Sequence, residues 1–267
     1  MFYLVEVQNR TGYVGLDLLP FRQHRREMTK MKECEKIIKK ALEEKRTVML
    51  ADEAKRVCSL HKIPVPVSHT TLNTQEAVLR ANEMGYPVVL KVVSPQIVHK
   101  SDAGGVVLNI EDEKELEISF EKLIADVGAK FPSAKVSGIL VEKMMPPSTE
   151  VIVGAIRDRQ FGPSIMFGIG GLFTEIYNDV AFRVAPIDKI DAWNLIHELR
   201  GFKILEGLRG KPPADLDAIV NVLIDVSGLM MEHDSISQLD LNPVIAYPDE
   251  LCAVDCRIIL GKEEGDP

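Results

Sequence analysis

The chain has 267 residues, 46% of them hydrophobic, and its 32 basic and 40 acidic side chains give a formal net charge of −8. This size and composition predict a globular protein with one large domain or two closely joined subdomains. The acidic balance, the lack of an apolar run long enough to cross a bilayer and the lack of a signal-peptide pattern predict a cytoplasmic protein with neither nucleic-acid nor membrane partners.

The first 31 residues show no sustained apolar periodicity, and turn-forming residues such as Gly12 and Pro20 interrupt them. We predict a poorly ordered N-terminal extension over residues 1–31. The sequence leaves open whether the functional chain begins near Met28 or Met31, where helical periodicity starts.

Two amphipathic helices are predicted next, one from Cys34 and one from near Asp52, because apolar residues recur there at helical spacing. A third helix is predicted with Thr74 as its N-cap and Gly85 just beyond its C-terminus. The four cysteines of the chain lack CxxC spacing and have apolar or helix-forming neighbours. We therefore expect reduced core thiols rather than disulfides or zinc ligands.

A β-branched run, VVLKVV at residues 88–93, predicts a strand that is covered on both faces. Lys91 interrupts this run. A lysine ammonium inside an apolar sheet is costly unless it meets an anion, so Lys91 is either a structural lysine paired with a carboxylate or a site for an anionic ligand.

A polar, glycine-bearing loop follows this strand. It begins at His99 and ends with Gly104 and Gly105, and paired glycines let a backbone come close to a ligand. Such pairs also form plain turns, and a lone histidine is often a hydrogen-bonded surface residue.

The rest of the chain alternates strand and helix patterns. Prolines at positions 146 and 147 follow a strand and suggest a hinge. The chain contains neither GxxxxGK[ST] nor a strand-turn-helix GxGxxG motif. We predict strands over residues 106–110, 136–141, 150–156, 164–168 and 181–186, and helices over residues 113–127, 188–199 and 214–231.

A hairpin near the C-terminus carries oxygen-bearing side chains. Asp240 and Asn242 share one face of a strand, because they are two residues apart. If Ala246 faces Leu251 across a four-residue loop, counting back places Asn242 opposite Asp255. Carboxylate and amide oxygens without His or Cys suit Mg²⁺. The alternative is a solvated polar face on an edge hairpin.

Four motifs in order resemble the ATP-grasp subunit of the ADP-forming acetate–CoA ligases, the β-subunit type of the NDP-forming acyl-CoA synthetases. They are VVLKVVSPQIVHKSDAGGV, IRDRQFGPSIMFGIGG, LRGKPPADLDA and QLDLNPV. The resemblance implies an α+β ATP-grasp fold in which two subdomains clamp a nucleotide. We expect subdomain 1 over residues 32–143, subdomain 2 over residues 144–260 and a tail over residues 261–267.

The resemblance also implies roles for individual residues. Lys91 matches a lysine that holds ATP phosphates, and His99 matches a histidine that some members use as a second phosphoryl acceptor. Both are expected to be catalytic. The implied nucleotide-binding residues are Lys91, Gly104, Gly105, Glu142, Met144 and Glu150, with Glu142 and Met144 at the hinge that receives adenine, and the implied Mg²⁺ ligands are Asp240, Asn242 and Asp255.

The implied reaction is acyl-CoA + ADP + phosphate ⇌ carboxylic acid + CoA + ATP, through an acyl phosphate and a phosphohistidine. ATP or ADP and Mg²⁺ are the expected cofactors. A CoA-binding α-type subunit is the expected partner, in an α2β2 heterotetramer, and it would receive the acyl-CoA or carboxylate. The alternatives are a succinyl-CoA synthetase β-like or other ATP-grasp ligase and, outside enzymes, a catalytically silent nucleotide-binding scaffold subunit.

Overall fold

The structure is a computed structural model that describes residues 19–97, 100, 103–171, 179–208, 210 and 212–261. Within these residues the chain forms six α-helices and ten β-strands. The helices are α1 (Leu19–Glu43), α2 (Ala51–Leu60), α3 (Thr74–Met84), α4 (Glu113–Lys130), α5 (Lys189–His197) and α6 (Leu216–Glu232). The strands are β1 (Ser68–Thr71), β2 (Val88–Val93), β3 (Val106–Ile110), β4 (Gly138–Lys143), β5 (Thr149–Asp158), β6 (Gly162–Ile169), β7 (Val180–Val184), β8 (Ile236–Ala246), β9 (Leu251–Ala253) and β10 (Cys256–Leu260).

The strands form two antiparallel sheets. The first has four strands in the order β1-β4-β2-β3. The second has six strands, with the order β10-β8-β5-β6-β7 and β9 paired to β8. The chain passes from the first sheet to the second through the segment that joins β4 to β5, which carries the two adjacent prolines.

Helices α3 and α4 cover the first sheet and close its core. Helix α4 buries residues at positions 116, 120, 123 and 127, the spacing of one helical face, against β2 and β3. Gly85 ends α3 with a positive φ, as predicted. The predicted N-cap, Thr74, is wrong by one residue, because the Asn73 side chain accepts the capping hydrogen bond from the Glu76 amide.

The predicted first subdomain, residues 32–143, includes two helices that pack mainly with the second sheet. Helices α1 and α2 pack in the core of the second sheet, with Ile38 and Val57 among the buried residues of that core. The segment between them continues this attachment, because the Met49 amide donates to the Ile258 carbonyl at 3.0 Å. An amphipathic pattern predicts that a helix has a buried face, but it does not encode which of two sheets that face covers.

The poorly ordered extension predicted over residues 1–31 overlaps the first helix of the structure. Helix α1 begins at Leu19, so residues 19–31 are helical, whereas residues 1–18 lie outside the described part of the chain. The sequence from Arg22 to Lys32 is rich in Arg, Lys, Glu, Gln and Met, which favour helix without an apolar stripe. Apolar periodicity alone therefore misses the start of this helix.

Two expectations from the sequence concern membrane-spanning helices and the state of the cysteines. No described helix is both long enough and apolar enough to cross a membrane. All four cysteines are buried and free.

The packing of α1 predicts that two of its side chains contribute very differently to stability. Ile38→Ala should lower the free energy of unfolding by about 2–4 kcal/mol, because it opens a cavity in the second core. Leu42→Ala is the matched control on the same helix, since Leu42 is 40% exposed. Urea titration of both variants measures the difference, and equal small losses would contradict the packing of α1 in the second core.

Candidate functional site

A cavity of about 560 Å³ lies between one face of the first sheet and the strands β8 and β10. The face of the first sheet contributes both apolar and charged residues, and the opposite wall carries Asp240, Asp255 and Arg257. Its lining consists of Val89, Lys91, Lys100, Val106, Leu108, Glu142, Lys143, Met144, Met145, Glu150, Asp240, Asn242, Pro243, Ile245, Val254, Asp255 and Arg257.

Lys91 and Glu142 meet on the cavity face of the first sheet. Val89 pairs with Glu142 across β2 and β4, so Lys91, two residues farther along β2, is the diagonal neighbour of Glu142 on the same face. Lys91 Nζ donates to Glu142 Oε1 at 2.8 Å. Lys91 is therefore paired with a protein carboxylate in the structure, one of the two alternatives that the sequence left open.

A second lysine, Lys55 from α2, binds the same carboxylate. Lys55 Nζ donates to Glu142 Oε2 and, at 2.8 Å, to the Val254 carbonyl, which also accepts from Lys91 Nζ at 3.1 Å. Sequence reasoning missed Lys55. Its position four residues after Ala51 and three before Cys58 places it on the buried face of α2, which is the available signal.

The three charged residues are all buried, with exposures of 2% for Lys55, 6% for Lys91 and 0% for Glu142. Two ammonium groups and one carboxylate leave a net charge of +1 at the edge of the cavity. Removing charges from water is costly unless they are compensated, so this excess favours an anion beside the lysines. The Glu142 side chain is occupied by the two lysines, so its effect on a bound ligand is exerted through them.

The acidic hairpin has the predicted register. Ala246 pairs with Leu251, and the Asn242 amide donates to the Asp255 carbonyl at 3.2 Å. Asp240 lies on the same strand as Asn242, and all three line the cavity. The structure therefore brings the predicted oxygen donors together, while their role as metal ligands stays a prediction.

Electrostatics at the hairpin favour a cation. Asp240 faces the cavity and is exposed to it, but the surrounding walls partly exclude water. This desolvation, together with the nearby Asp255 charge, raises the pKa of Asp240, and Arg257 opposes the shift. Lys100 Nζ lies 3.8 Å from Asp255 Oδ1 and compensates only part of the negative charge. The oxygen-only donor set and the mutual repulsion of the two carboxylates fit a hard divalent cation such as Mg²⁺.

Met144 and Glu150 lie on the path from the first sheet to the second. The Met144 amide donates to the Pro87 carbonyl at 3.1 Å, which fixes the start of the connecting segment. The Glu150 side chain is exposed at the cavity, and its carbonyl accepts from the Gly170 amide at 2.7 Å. A Cβ at Gly170 would lie 2.8 Å from the Glu150 carbonyl carbon, so only glycine allows this approach.

The glycine loop is only partly described. His99 lies outside the described residues, so its predicted role stays a prediction. Gly104 and Gly105 do not line the cavity. Gly105 packs against β2 instead, because an added Cβ would lie 2.5 Å from Val92 Cγ1, and its carbonyl accepts from the Val92 amide. Close packing, rather than a nucleotide contact, is the reason that the structure gives for this glycine.

A family model described as an ATP-grasp domain matches residues 40–260. The β subunit of ADP-forming acetate–CoA ligase I from Pyrococcus furiosus is 45% identical over 233 residues, which cover 87% of this chain and all of that protein.

Solved structures are similar over the same part of the chain. One is a dinucleotide-forming acetyl-coenzyme A synthetase 1 from Candidatus Korarchaeum cryptofilum in complex with coenzyme A and Ca-AMPCP. It has a TM-score of 0.83 and 45% identity, covering 85% of this chain and 99% of that chain. Another structure of that enzyme, with coenzyme A and Mg-AMPPCP, has its phosphohistidine segment pointing towards the nucleotide binding site. It has a TM-score of 0.76 and 42% identity, covering 85% of this chain and all of that chain.

The buried triad of Lys55, Lys91 and Glu142 predicts a large loss of stability when the carboxylate is replaced by an amide. Glu142→Gln should lower the free energy of unfolding by about 3 kcal/mol or more, because it leaves two buried ammonium groups without a carboxylate. Glu121→Gln, on the exposed face of α4, is the control and should change little. Chemical denaturation of both variants checks the difference. A Glu142→Gln protein as stable as the control would show that the triad contributes nothing to folding.

The raised pKa of Asp240 predicts that the effect of this residue on stability depends on pH. A folded-state pKa above the unfolded value of 3.8 means that ionisation of Asp240 costs stability as the pH rises through the raised pKa. In metal-free buffer, Asp240→Asn should therefore be more stable than the wild type near neutral pH, and the difference should vanish as the pH falls to about 4. Urea midpoints across this range measure it. Asp249→Asn, in an exposed turn, is the control, and a difference that does not change with pH would contradict the prediction.

Proposed function

Because the chain belongs to the ATP-grasp domain family and, within it, to the β subunits of the ADP-forming acetate–CoA ligases, we propose that it is the nucleotide-binding half of such an enzyme. The proposed reaction is acyl-CoA + ADP + phosphate ⇌ carboxylic acid + CoA + ATP, with phosphohistidine as the carrier. The single observation that supports it best is the pair of buried lysines that share one carboxylate opposite an acidic hairpin.

The lysines provide the phosphate end of the proposed site. Lys91 and Lys55 converge on Glu142, which fixes both ammonium groups before a ligand arrives. Each ammonium has three donors, so it can hold Glu142 and the Val254 carbonyl and still donate to a phosphate oxygen. Fixed charges of this kind stabilise the charge that develops on a transferring phosphoryl group.

The acidic hairpin provides the metal end. Asp240, Asn242 and Asp255 would hold Mg²⁺ through carboxylate and amide oxygens. Mg²⁺ would supply charge neutralisation between the nucleotide phosphates. Lys100, beside Asp255, limits the negative charge of the hairpin when no cation is bound.

The adenine end is proposed at the start of the connecting segment. Met144 lies there, and Leu108 and Ile245 also contribute apolar side chains to the lining of the cavity. Glu142 contributes its side chain to the lysines, so we assign recognition of the base to the segment that begins at Met144. Glu150, near the start of β5 at the other end of that segment, lines the same cavity.

The partner and its chemistry are also part of the proposal. The Pyrococcus relative is named as a β subunit, which supports a partner for this chain. We propose a CoA-binding α-type subunit that receives the acyl-CoA or carboxylate, in an α2β2 assembly in the cytoplasm. His99, at the start of the glycine loop, is proposed as a phosphoryl acceptor between the two active sites, because a neutral imidazole is a nucleophile near pH 7.

We expect the isolated chain to bind ATP and ADP but to complete turnover only with its partner. Lys91→Met should weaken nucleotide binding by about 10- to 100-fold, the equivalent of one lost charge-assisted hydrogen bond. Lys122→Met, on the exposed face of α4, is the matched control. Calorimetric titration with and without Mg²⁺ measures these affinities, and thermal melting separates a binding defect from unfolding.

The same titration tests the metal ligands and the alternatives. Asp255→Asn should weaken binding of Mg²⁺-nucleotide more than binding of metal-free nucleotide. Nucleotide binding with no ligase activity on any carboxylic acid after reconstitution would favour the silent scaffold alternative. Nucleotide binding with ligase activity on a different acid, and none on acetate, would favour another ATP-grasp ligase.

A further inference from the structure

A cluster of three metal-ligand side chains lies outside the nucleotide cavity. Cys34 is on α1, His61 directly follows α2 and His233 directly follows α6. Their ligand atoms all lie within 4.8 Å of one another. Three segments that are distant in sequence therefore bring one thiol and two imidazoles to a single point.

We propose that Cys34, His61 and His233 bind a zinc-class divalent cation that joins the middle of α1 to the C-terminal ends of α2 and α6. One sulfur and two imidazole nitrogens are the ligands that suit zinc, whereas Mg²⁺ and Ca²⁺ require oxygen. The site is independent of the nucleotide-binding function proposed above.

The distances agree with those of a tetrahedral zinc site. His233 Nε2 lies 3.3 Å from Cys34 Sγ and 3.3 Å from His61 Nε2. Ordinary zinc bond lengths place two tetrahedral nitrogen ligands about 3.4 Å apart, and a nitrogen and a sulfur about 3.6 Å apart. The two measured separations are within about 0.3 Å of these tetrahedral values, and the third pair of ligand atoms lies within 4.8 Å.

Hydrogen bonding fixes the orientation of His61. Its Nδ1 lies 3.1 Å from the Val57 carbonyl, so Nδ1 carries a proton and donates it. The lone pair of Nε2 in the neutral ring then points into the cluster. A metal-bound histidine usually donates the N–H of its other ring nitrogen to a carbonyl or carboxylate in this way.

Protons alone satisfy this cluster poorly. His61 Nε2 faces Glu232 Oε2 at 3.1 Å as well as His233 Nε2, and His233 Nε2 also faces the Cys34 thiol. Each ring nitrogen has one proton or one lone pair to offer, so each would have to share a single hydrogen bond between two neighbours. A cation at the centre would instead accept a lone pair from every ligand atom.

The surroundings of the cluster are negatively charged. The carboxylates of Glu232, Glu35 and Glu33 act electrostatically on Cys34, and Glu232 Oε2 lies 3.1 Å from His61 Nε2. These carboxylates come from α1 and α6, and their field favours a cation near the sulfur. Glu232 also lines the adjacent surface cavity of about 540 Å³ together with His61, which gives an ion a route from solvent.

The backbone around His233 is held in place by Arg157. One guanidinium nitrogen of Arg157 donates to the His233 carbonyl at 3.1 Å, and the side chain also pairs with Asp234. Ligands on a fixed backbone lose little freedom when an ion binds. Cys34 and His233 are almost fully buried, and the side chain of His61 is 11% exposed, so the fourth position of the ion faces the cavity beside Glu232.

The test uses the full chain after chelator treatment, in an excess of Mg²⁺ that occupies the oxygen ligands of the acidic hairpin. Zn²⁺ binding is measured by competition with a chromophoric chelator, and Co²⁺ binding by thiolate-to-cobalt absorption. We expect one ion per chain, and an affinity at least about 100-fold weaker in Cys34→Ser and in His61→Gln. Bound Zn²⁺ should also raise the melting temperature of the wild type.

Matched controls separate the cluster from other thiols and imidazoles. Cys256→Ala removes another buried thiol and His69→Gln another histidine, and both should bind Zn²⁺ within about 3-fold of the wild type. If Cys34→Ser fails to fold, His61→Gln, which is nearer the surface, decides the result. Undetectable Zn²⁺ binding by the wild type, or binding that both cluster variants retain, would overturn the proposal and leave a hydrogen-bonded cluster.

Discussion

One buried carboxylate connects the two halves of this molecule. Glu142 belongs to the first sheet, and it holds Lys91 from the same sheet and Lys55 from a helix that packs on the second. Both lysines also reach the Val254 carbonyl, between two strands of the second sheet. The relative position of the two walls of the cavity therefore depends on an interaction that is inside the cavity itself.

The cavity is electrostatically divided. Its first-sheet wall carries an excess positive charge, and its hairpin wall carries two carboxylates whose repulsion is only partly relieved by Lys100 and Arg257. A polyanion with a bound divalent cation complements both walls at once. Either component alone would leave one wall uncompensated, which explains why nucleotide and metal are expected to bind together.

Local patterns in the sequence predict much of this structure. The β-branched run predicts β2, whose six residues are all buried. The length of the hairpin loop predicts the pairing of Ala246 with Leu251. The ATP-grasp fold and the family were predicted from four motifs and are confirmed by the comparisons. The position of Lys91 in the cavity follows from the strand pattern.

What the sequence does not predict depends on contacts between distant segments. The charge of Lys91 shows that an anion is required, but only the pairing of β2 with β4 identifies Glu142 as that anion. Lys55 reaches the same carboxylate because α2 packs on the second sheet, a choice that helical periodicity does not contain. For the same reason the cluster of Cys34 with two histidines cannot be recognised from cysteine spacing, although the prediction that the cysteines are buried is correct.

The discontinuity of the second core has a consequence for synthesis on the ribosome. Residues 34–63 of that core are made first, whereas their partners run from residue 151 to residue 260, and the complete first core lies between them. At roughly 5–20 residues per second, about 200 residues of translation separate the first helices from the last strand, a delay of roughly 10–40 s. During this interval the apolar faces of α1 and α2 have no sheet to cover. The second core therefore closes only after its last strand, β10, has been made, when all residues of the first core are already in the chain.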